Sequence, residues 1–347
     1  MLHTTCVLDG PAAMDFLDTQ WRELYQHDPL ATPYQSPNWL AAWAGHLPHT
    51  ITPVILAVQA PTGRALAALA LAREDNGPGR TRYFPLSAPH AEYVRPIGPH
   101  AEDPSVVAAL AFCLLLFAED GGQVEMTDVP IGSGLGQCLT QATADGDWQH
   151  RINPCAEIRL PLDFDAMSRT TRRNHVRRKR IWKSLDVDHH VTYQQTRCVD
   201  ELLSAYDVLV QLHQSRWEGH AQLPGALIAS DADQWRSVLR HCGEAGATIA
   251  TLVLDGETIA SQLCLTRGTT CFSVLSAMDP RQQHLAPGHA LLRFLATALP
   301  AEGIRTLDLG RTAPGQRAYK SQYQPHWSNT VSTVTTPHVV GTHRRFQ

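Results

Sequence analysis

Three groups of residues in the second half of the chain have the types and spacing for proton transfer. Asp308 lies in the short strand pattern Thr306 to Leu309, flanked by Leu307 and Leu309 and followed by Gly310. A carboxylate at a strand end, where sheet edges commonly meet ligands, is the first candidate for a general base. His213 falls in line with Leu202, Tyr206, Leu209 and Trp217 at spacings of four, three, four and four, on the apolar face of a helix. An imidazole there can act as a base or orient a substrate. Arg311, Tyr319 and Lys320 follow in a loop bounded by Pro314, Gly315 and Pro325, which can carry cations and a phenol over such a site. Each residue also has an ordinary alternative: an aspartate binding turn N–H groups, a core histidine satisfied by one hydrogen bond, a lysine in solvent.

A fourth feature is electrostatic. Ser168 to Leu185 carries eight Arg or Lys and no acid, which repels itself on a lone helix unless an anion or acidic surface faces it. The basic segment Arg169 to Lys183 is therefore a candidate contact for a polyanion: a coenzyme's phosphates, a tRNA stem or a carrier protein's acidic helix. Trp182 is its one aromatic, so it does not read as a dedicated nucleic-acid module.

Composition sets the frame for these residues. A chain of 347 residues, 43% hydrophobic, has material for about two cored domains. The longest apolar run, Val106 to Ala118, is too short to cross a membrane and reads as a buried helix, with no membrane insertion expected. The N-terminus lacks a basic start and a long apolar stretch, so a cytoplasmic protein is expected. The 8 cysteines form no CxxC pair and predict reduced thiols; the 18 histidines include no HExxH, so no metal is expected.

The elements that must position the candidates alternate. Helix patterns at Asp15 to Tyr25 and after Pro33 precede strands Val54 to Val58 and Arg64 to Ala72, joined by the turn Ala60-Pro61-Thr62-Gly63. A helix Asp103 to Asp120, a strand Val124 to Thr127 and a Gly-rich turn at Gly132 to Gly136 follow. After the strand Ala156 to Leu162 the texture changes, placing a boundary between domains 1–160 and 161–347. The second half then reads as strand His190 to Thr196, helices Val199 to Glu218 and Asp231 to Gly243, and strands Ile249 to Leu254, Thr258 to Thr266 and Thr270 to Ala277. A helix Ala286 to Ala301 and the Asp308 strand close it. The hairpin around Asp255-Gly256 resembles the one around Ala60 to Gly63, which suits a duplicated mixed α/β domain.

From about Ser168 to His326 the motif order resembles the GNAT acyltransferases of the cellulose-biosynthesis CelD type, related to the FemAB-like aminoacyl transferases. The carriers are the basic segment, His213-Gln-Ser-Arg-Trp217, Asp255-Gly256 with Ile259-Ala260, Pro287-Gly288, Gly303 to Gly310 and Tyr319-Lys320. The resemblance implies an α/β fold of tandem GNAT-like domains, each a mixed central sheet flanked by helices. The first domain would be degenerate and the second would hold the active site. It implies an N-acyltransferase moving an acyl group, most simply acetyl, from acyl-CoA to the amine of a small molecule, sugar or lysine.

On that reading Asp308, His213 and Tyr319 are catalytic, with Tyr319 protonating the departing thiolate. Gln283-His-Leu-Ala286-Pro-Gly288 fits the family's Q/R-x-x-G/A-x-G/A phosphate-binding spacing, although Pro287 lacks an N–H. The strand carrying Ser276 would splay from its neighbour to admit the thioester arm. Trp217, Arg216, Arg311 and Lys320 would bind substrate. Two alternatives remain: amino-acid transfer from aminoacyl-tRNA or a carrier protein, and a non-catalytic GNAT-like factor in polysaccharide biosynthesis.

Overall fold

Val54 to Val58 and Ala65 to Ala72 are buried without alternation, the pattern of strands covered on both faces. They lie in β2 (Ile51–Gln59) and β3 (Ala65–Asp75) of a computed structural model that describes residues 3–77, 80–144, 148–196, 198–217, 231–243, 246–313 and 315–335. Before them come β1 (Thr4–Asp9), α1 (Gly10–Asp18), α2 (Gln20–His27) and α3 (Pro37–Ala44). After them come β4 (Thr81–Pro85), α4 (Pro104–Glu119), β5 (Gln123–Pro130), α5 (Gly134–Ala144) and β6 (Trp148–Arg159). α1 and α4 both pack on β2.

The second half contains α6 (Arg169–Asp188), β7 (Val191–Gln195), α7 (Val199–Trp217), α8 (Ala232–Cys242), β8 (Ala247–Leu254) and β9 (Glu257–Arg267). β10 (Thr270–Met278), α9 (Pro287–Ala298), β11 (Thr306–Arg311), α10 (Arg317–Ser321) and β12 (His326–Thr335) complete it.

The chain divides into two units, Met1–Pro154 with Asn329–Gln347, and Cys155–Ser328. The first unit's strands run β1-β2-β3-β4-β5-β12, and the second's run β7-β8-β9-β10-β11-β6. In each, three antiparallel pairings are followed by one parallel pairing, β4 with β5 or β10 with β11, and by a closing antiparallel strand. α4 and α9 occupy equivalent crossovers. The closing strands are exchanged in sequence: β12 pairs with β5, and the Cys155–Arg159 part of β6 pairs with β11.

The two hairpins take equivalent places, β2 with β3 and β8 with β9. Asp255 and Gly256 have φ of 52° and 87°, the two positive angles of the tight turn that matches strand twist. The Asp255 carboxylate accepts from His190 N–H at 2.8 Å, which fixes the start of β7. The second unit's core gathers Ile158, Trp182, Leu252, Ile259, Leu291, Leu295, Leu307 and Tyr323.

Several elements differ from the sequence reading. β1, β4, β12 and α10 were not expected. The first helical stretch is two helices, broken at Thr19, whose φ and ψ of −115° and −91° are not helical. α4 is not wholly buried: only Val106, Val107, Leu110 and Leu114 turn inward, while Phe112, Leu115 and Leu116 are exposed. One stripe of a helix suffices to cover a sheet, and an all-apolar sequence cannot show which stripe that is. Among the described residues, no helix is long and apolar enough to cross a membrane.

Candidate active site

β10 keeps its antiparallel partner β9 through Met278, opposite Ala260. Its parallel partner is lost much sooner, because Thr270, Cys271 and Phe272 pair with Thr306, Leu307 and Asp308, and no later β10–β11 pair occurs among the described residues. A register shift between Ser273 and Leu275 sets Val274 outside the ladder with β9. Bulges of this kind re-aim backbone groups and are frequent beside ligand sites. Asp308 therefore stands at the last paired position, where one edge of β10 is released.

Asp308 is buried, 6% exposed. Its Oδ1 accepts the Gly310 N–H at 2.6 Å, and Gly310 has φ of 64°. β11 shifts register against β6 between Asp308 and Arg311. The carboxylate thus fixes the local turn, the ordinary role left open from the sequence, while remaining at the mouth of the strand opening. Leu307 and Leu309 join the core cluster on the opposite face.

Lys320, also 6% exposed, comes from α10 and donates from Nζ to the carbonyls of Leu309, Gly310 and Arg311 at 2.6, 3.0 and 2.8 Å. The bulged strand end exposes carbonyls that a buried ammonium can satisfy, and burial without such acceptors would be prohibitive. Instead of reaching into a loop over the site, Lys320 staples α10 beneath the Asp308 turn.

The phosphate-loop candidate is more ordered than its sequence suggests. Pro280–Leu285 is a 3₁₀ turn, with the Asp279 carboxylate accepting from Arg281 N–H. Ala286 then takes a left-handed conformation, φ 52° and ψ 53°, at the start of α9. A non-glycine residue there carries strain of about 1–2 kcal/mol. The Ala286 carbonyl accepts from His289 and Ala290. Pro287 has no N–H, so the helix's first possible donor toward an anion is Gly288. A Cβ at Gly288 would find only Met278 Sδ at 3.9 Å, so packing does not demand glycine there.

A buried group of rings and cations surrounds this helix start, and the sequence reading missed it. His289 Nδ1 and the Tyr323 hydroxyl share a hydrogen bond of 2.6 Å. The Tyr319 ring lies 4.4 Å from that of His289, and its hydroxyl donates to the Gly288 carbonyl at 3.4 Å. Desolvation, with Arg178 and His175 nearby, pushes the His289 pKa down to about 3. Burial and Tyr319 push Tyr323 well up. His175, on α6, bonds through Nε2 to the Gln322 carbonyl at 2.9 Å and is lowered chiefly by burial. The aromatic spacing of Tyr319 and Tyr323 and the position of His289 just after Pro287-Gly288 were the signals available.

The remaining candidates fall in three places. His213 is buried, 3% exposed, in line with buried Leu202, Tyr206 and Leu209 on α7, which packs against β9 and β10. The side chains of Arg216 and Trp217 lie outside the described residues. Ser276 and Gln283 are exposed, apart from the buried group made by Asp308, Gly310 and Lys320. Arg311 is half-buried at the end of β11, and its carbonyl is one of those held by Lys320. The basic segment is helix α6, capped by Ser168, whose Oγ accepts from Thr171 N–H. It buries His175 and Trp182, and Arg172, Arg173, Arg177, Lys179, Arg180 and Lys183 are exposed.

Comparison with known proteins gives this arrangement a family context. Residues 170–321 match the family model described as an acetyltransferase (GNAT) domain. No curated protein matches the chain in sequence. Among solved structures, FemX is similar over 97% of this chain and 98% of its own, with a TM-score of 0.63 at 11% identity. The C-terminal domain of a putative lysylphosphatidylglycerol synthetase from Agrobacterium fabrum aligns over 93% of each chain, TM-score 0.53, 13% identity. A tandem GNAT protein from the clavulanic acid pathway aligns over 95% of this chain and 98% of its own, TM-score 0.50, 14% identity. At such identities the likeness is one of fold. The chain has the fold of tandem GNAT-like proteins, and its residues 170–321 match the acetyltransferase (GNAT) domain model.

Proposed function

We propose that the second half of the chain, residues 161–347, transfers an acyl group, most simply acetyl, from acyl-CoA to an amine, and that residues 1–160 form a degenerate copy without an active site. The observation that carries this reading is the early end of the β10–β11 pairing at Phe272 and Asp308. An unpaired strand edge offers backbone N–H groups to an acyl carbonyl, and the start of α9, which follows β10, offers Gly288 N–H and the helix dipole to the coenzyme's phosphates. Ser276, Gln283 and Ala286 line that path.

In the reaction the amine nitrogen attacks the thioester carbonyl, the C–N bond forms and the C–S bond breaks. Asp308 takes the amine proton, and Tyr319, on α10 with its hydroxyl at the Gly288 carbonyl, gives its proton to the departing thiolate. His213 orients the acceptor with Arg216, Trp217 and Arg311, while Lys320 holds the strand end that presents Asp308. The acceptor class is a small-molecule, sugar or lysine amine. We place the activity in the cytoplasm, where acyl-CoA is available.

The test is release of free CoA thiol from a panel of acyl-CoAs with amine acceptors, beside a thermal-shift screen with the same esters. Stabilisation by one acyl-CoA, with turnover lost in Asp308→Asn, supports the reading; no binding of any CoA ester ends it. One observation favours a second reading, aminoacyl transfer: α6, which carries an exposed row of cations, packs through Trp182 on the loop that Pro287 weakens, Nε1 donating to the Leu285 carbonyl at 3.2 Å. Salt-sensitive binding of aminoacyl-tRNA, with no binding of CoA esters, would establish that alternative.

A further inference from the structure

Two cations, Arg178 on α6 and Arg293 on α9, take no part in the proposed chemistry. Arg178 is half-buried and donates from Nη2 to the Gln322 side-chain carbonyl at 2.7 Å, while its Nη1 is buried with no hydrogen-bond partner. Arg293, on α9, is half-buried as well; it donates to the His175 carbonyl at 3.5 Å and lies 5.9 Å over the Phe164 ring. Among the described residues neither guanidinium has a carboxylate in ion-pair range. The partners are a neutral amide, a neutral carbonyl and an aromatic face.

Both guanidiniums lie near the same two groups. Each acts on the buried Tyr323 phenol and on the His175 imidazole. Burial lowers the pKa of both guanidiniums, the signature of cations held away from water without counter-charge. Positive charge so placed is expensive unless an anion joins it, and a planar guanidinium with an unused N–H matches an oxyanion's geometry.

We propose that Arg178 and Arg293 form a binding site for a phosphate group, lined by His175, Gln322 and Tyr323. The site is set on side chains of α6 and α9 and is separate from the backbone donors at the start of α9. Arg178 Nη1 supplies the missing hydrogen bond, and Arg293 supplies charge from the facing helix. The phosphate belongs either to the coenzyme's adenosine end or to a phosphorylated acceptor.

The experiment is titration calorimetry of the full-length protein with inorganic phosphate at fixed ionic strength, with melting temperatures in the same buffers. Phosphate should bind and raise the melting temperature. Arg178→Met and Arg293→Met should each weaken binding about tenfold or more, the loss of a charge-assisted hydrogen-bonding group. Arg173→Met, on the exposed face of α6, should leave binding unchanged. Without phosphate, Arg178→Met should melt no lower than the natural protein. Displacement of phosphate by CoA but not by 3′-dephospho-CoA would assign the group to the donor; failure of both to displace it would assign it to the acceptor. The site is refuted if phosphate neither binds nor stabilises, if Arg173→Met weakens binding as much as Arg178→Met, or if Arg178→Met lowers the melting temperature while keeping full phosphate affinity. None of these readouts requires acyl transfer, so the site and the proposed reaction stand or fall separately.

Discussion

The Tyr323 hydroxyl and His289 Nδ1 lie 2.6 Å apart in the interior of the second unit. This contact holds the first turn of α9 against the segment that follows α10. Burial, with Arg178 and His175 nearby, makes the imidazole a built-in acid liability. His289 titrates near 3 instead of 6.5, so between those values the unfolded chain binds a proton that the folded chain refuses. The stability gained from the neutral ring is complete above about pH 6.5 and is lost as pH falls toward 3. Denaturant melts across this range should show a slope of up to about 1.4 kcal/mol per pH unit from this residue. His289→Asn should flatten most of it, leaving a smaller part from His175, which is lowered in the same sense.

Asp308→Asn preserves Oδ1, the acceptor for Gly310 N–H, and removes the basic carboxylate. The variant should fold with an unchanged melting temperature and lose about 10² to 10⁴ in kcat, the usual contribution of a positioned proton acceptor. Continuous thiol detection at saturating acyl-CoA measures it. An Asn variant with full activity would confine Asp308 to holding its turn.

Lys320→Met should act mainly on stability. It strands three carbonyls that now receive the ammonium, at a cost of about 1–3 kcal/mol for each buried acceptor left unsatisfied. A lower urea midpoint is expected, and Lys320→Arg should restore part of it. Unchanged stability with a higher KM would point instead to direct substrate contact.

Two substitutions at the start of α9 separate strain from binding. Ala286→Gly removes the cost of a left-handed alanine against the greater freedom of an unfolded glycine, so stability should hold or rise by up to about 1 kcal/mol. Pro287→Ala restores a backbone N–H beside Gly288. Under the acyl-CoA reading, calorimetry should show tighter CoA binding in this variant.

The second half was readable because its strands are bounded by turn residues and its helices carry clean apolar stripes. Leu202, Tyr206, Leu209 and His213 share one buried face, as their spacing requires. β8, β9 and β10 contain the expected strands with their ends extended. β4 and β12 were unreadable because they are short or polar: Thr81–Pro85 includes a cation, and His326–Thr335 owes its strand state to pairing with distant β5. The fate of Lys320 was hidden for a similar reason. Its acceptors exist only because β11 bulges after Asp308, a departure from regular geometry that no residue type announces. His289, Tyr323, Arg178 and Arg293 converge from three segments far apart in sequence, so no local pattern links them.

The exchange of closing strands has a consequence for any attempt to divide the chain. A fragment cut between residues 160 and 161 would leave β11 without Cys155–Arg159 and β5 without β12, giving each half a bare sheet edge of the kind that drives association. The same edges make the halves complementary: expressed together, each fragment carries the strand that the other lacks. A single-unit protein with this topology would meet the same requirement by trading strands between two copies, and the covalent link here turns that trade into an intramolecular one.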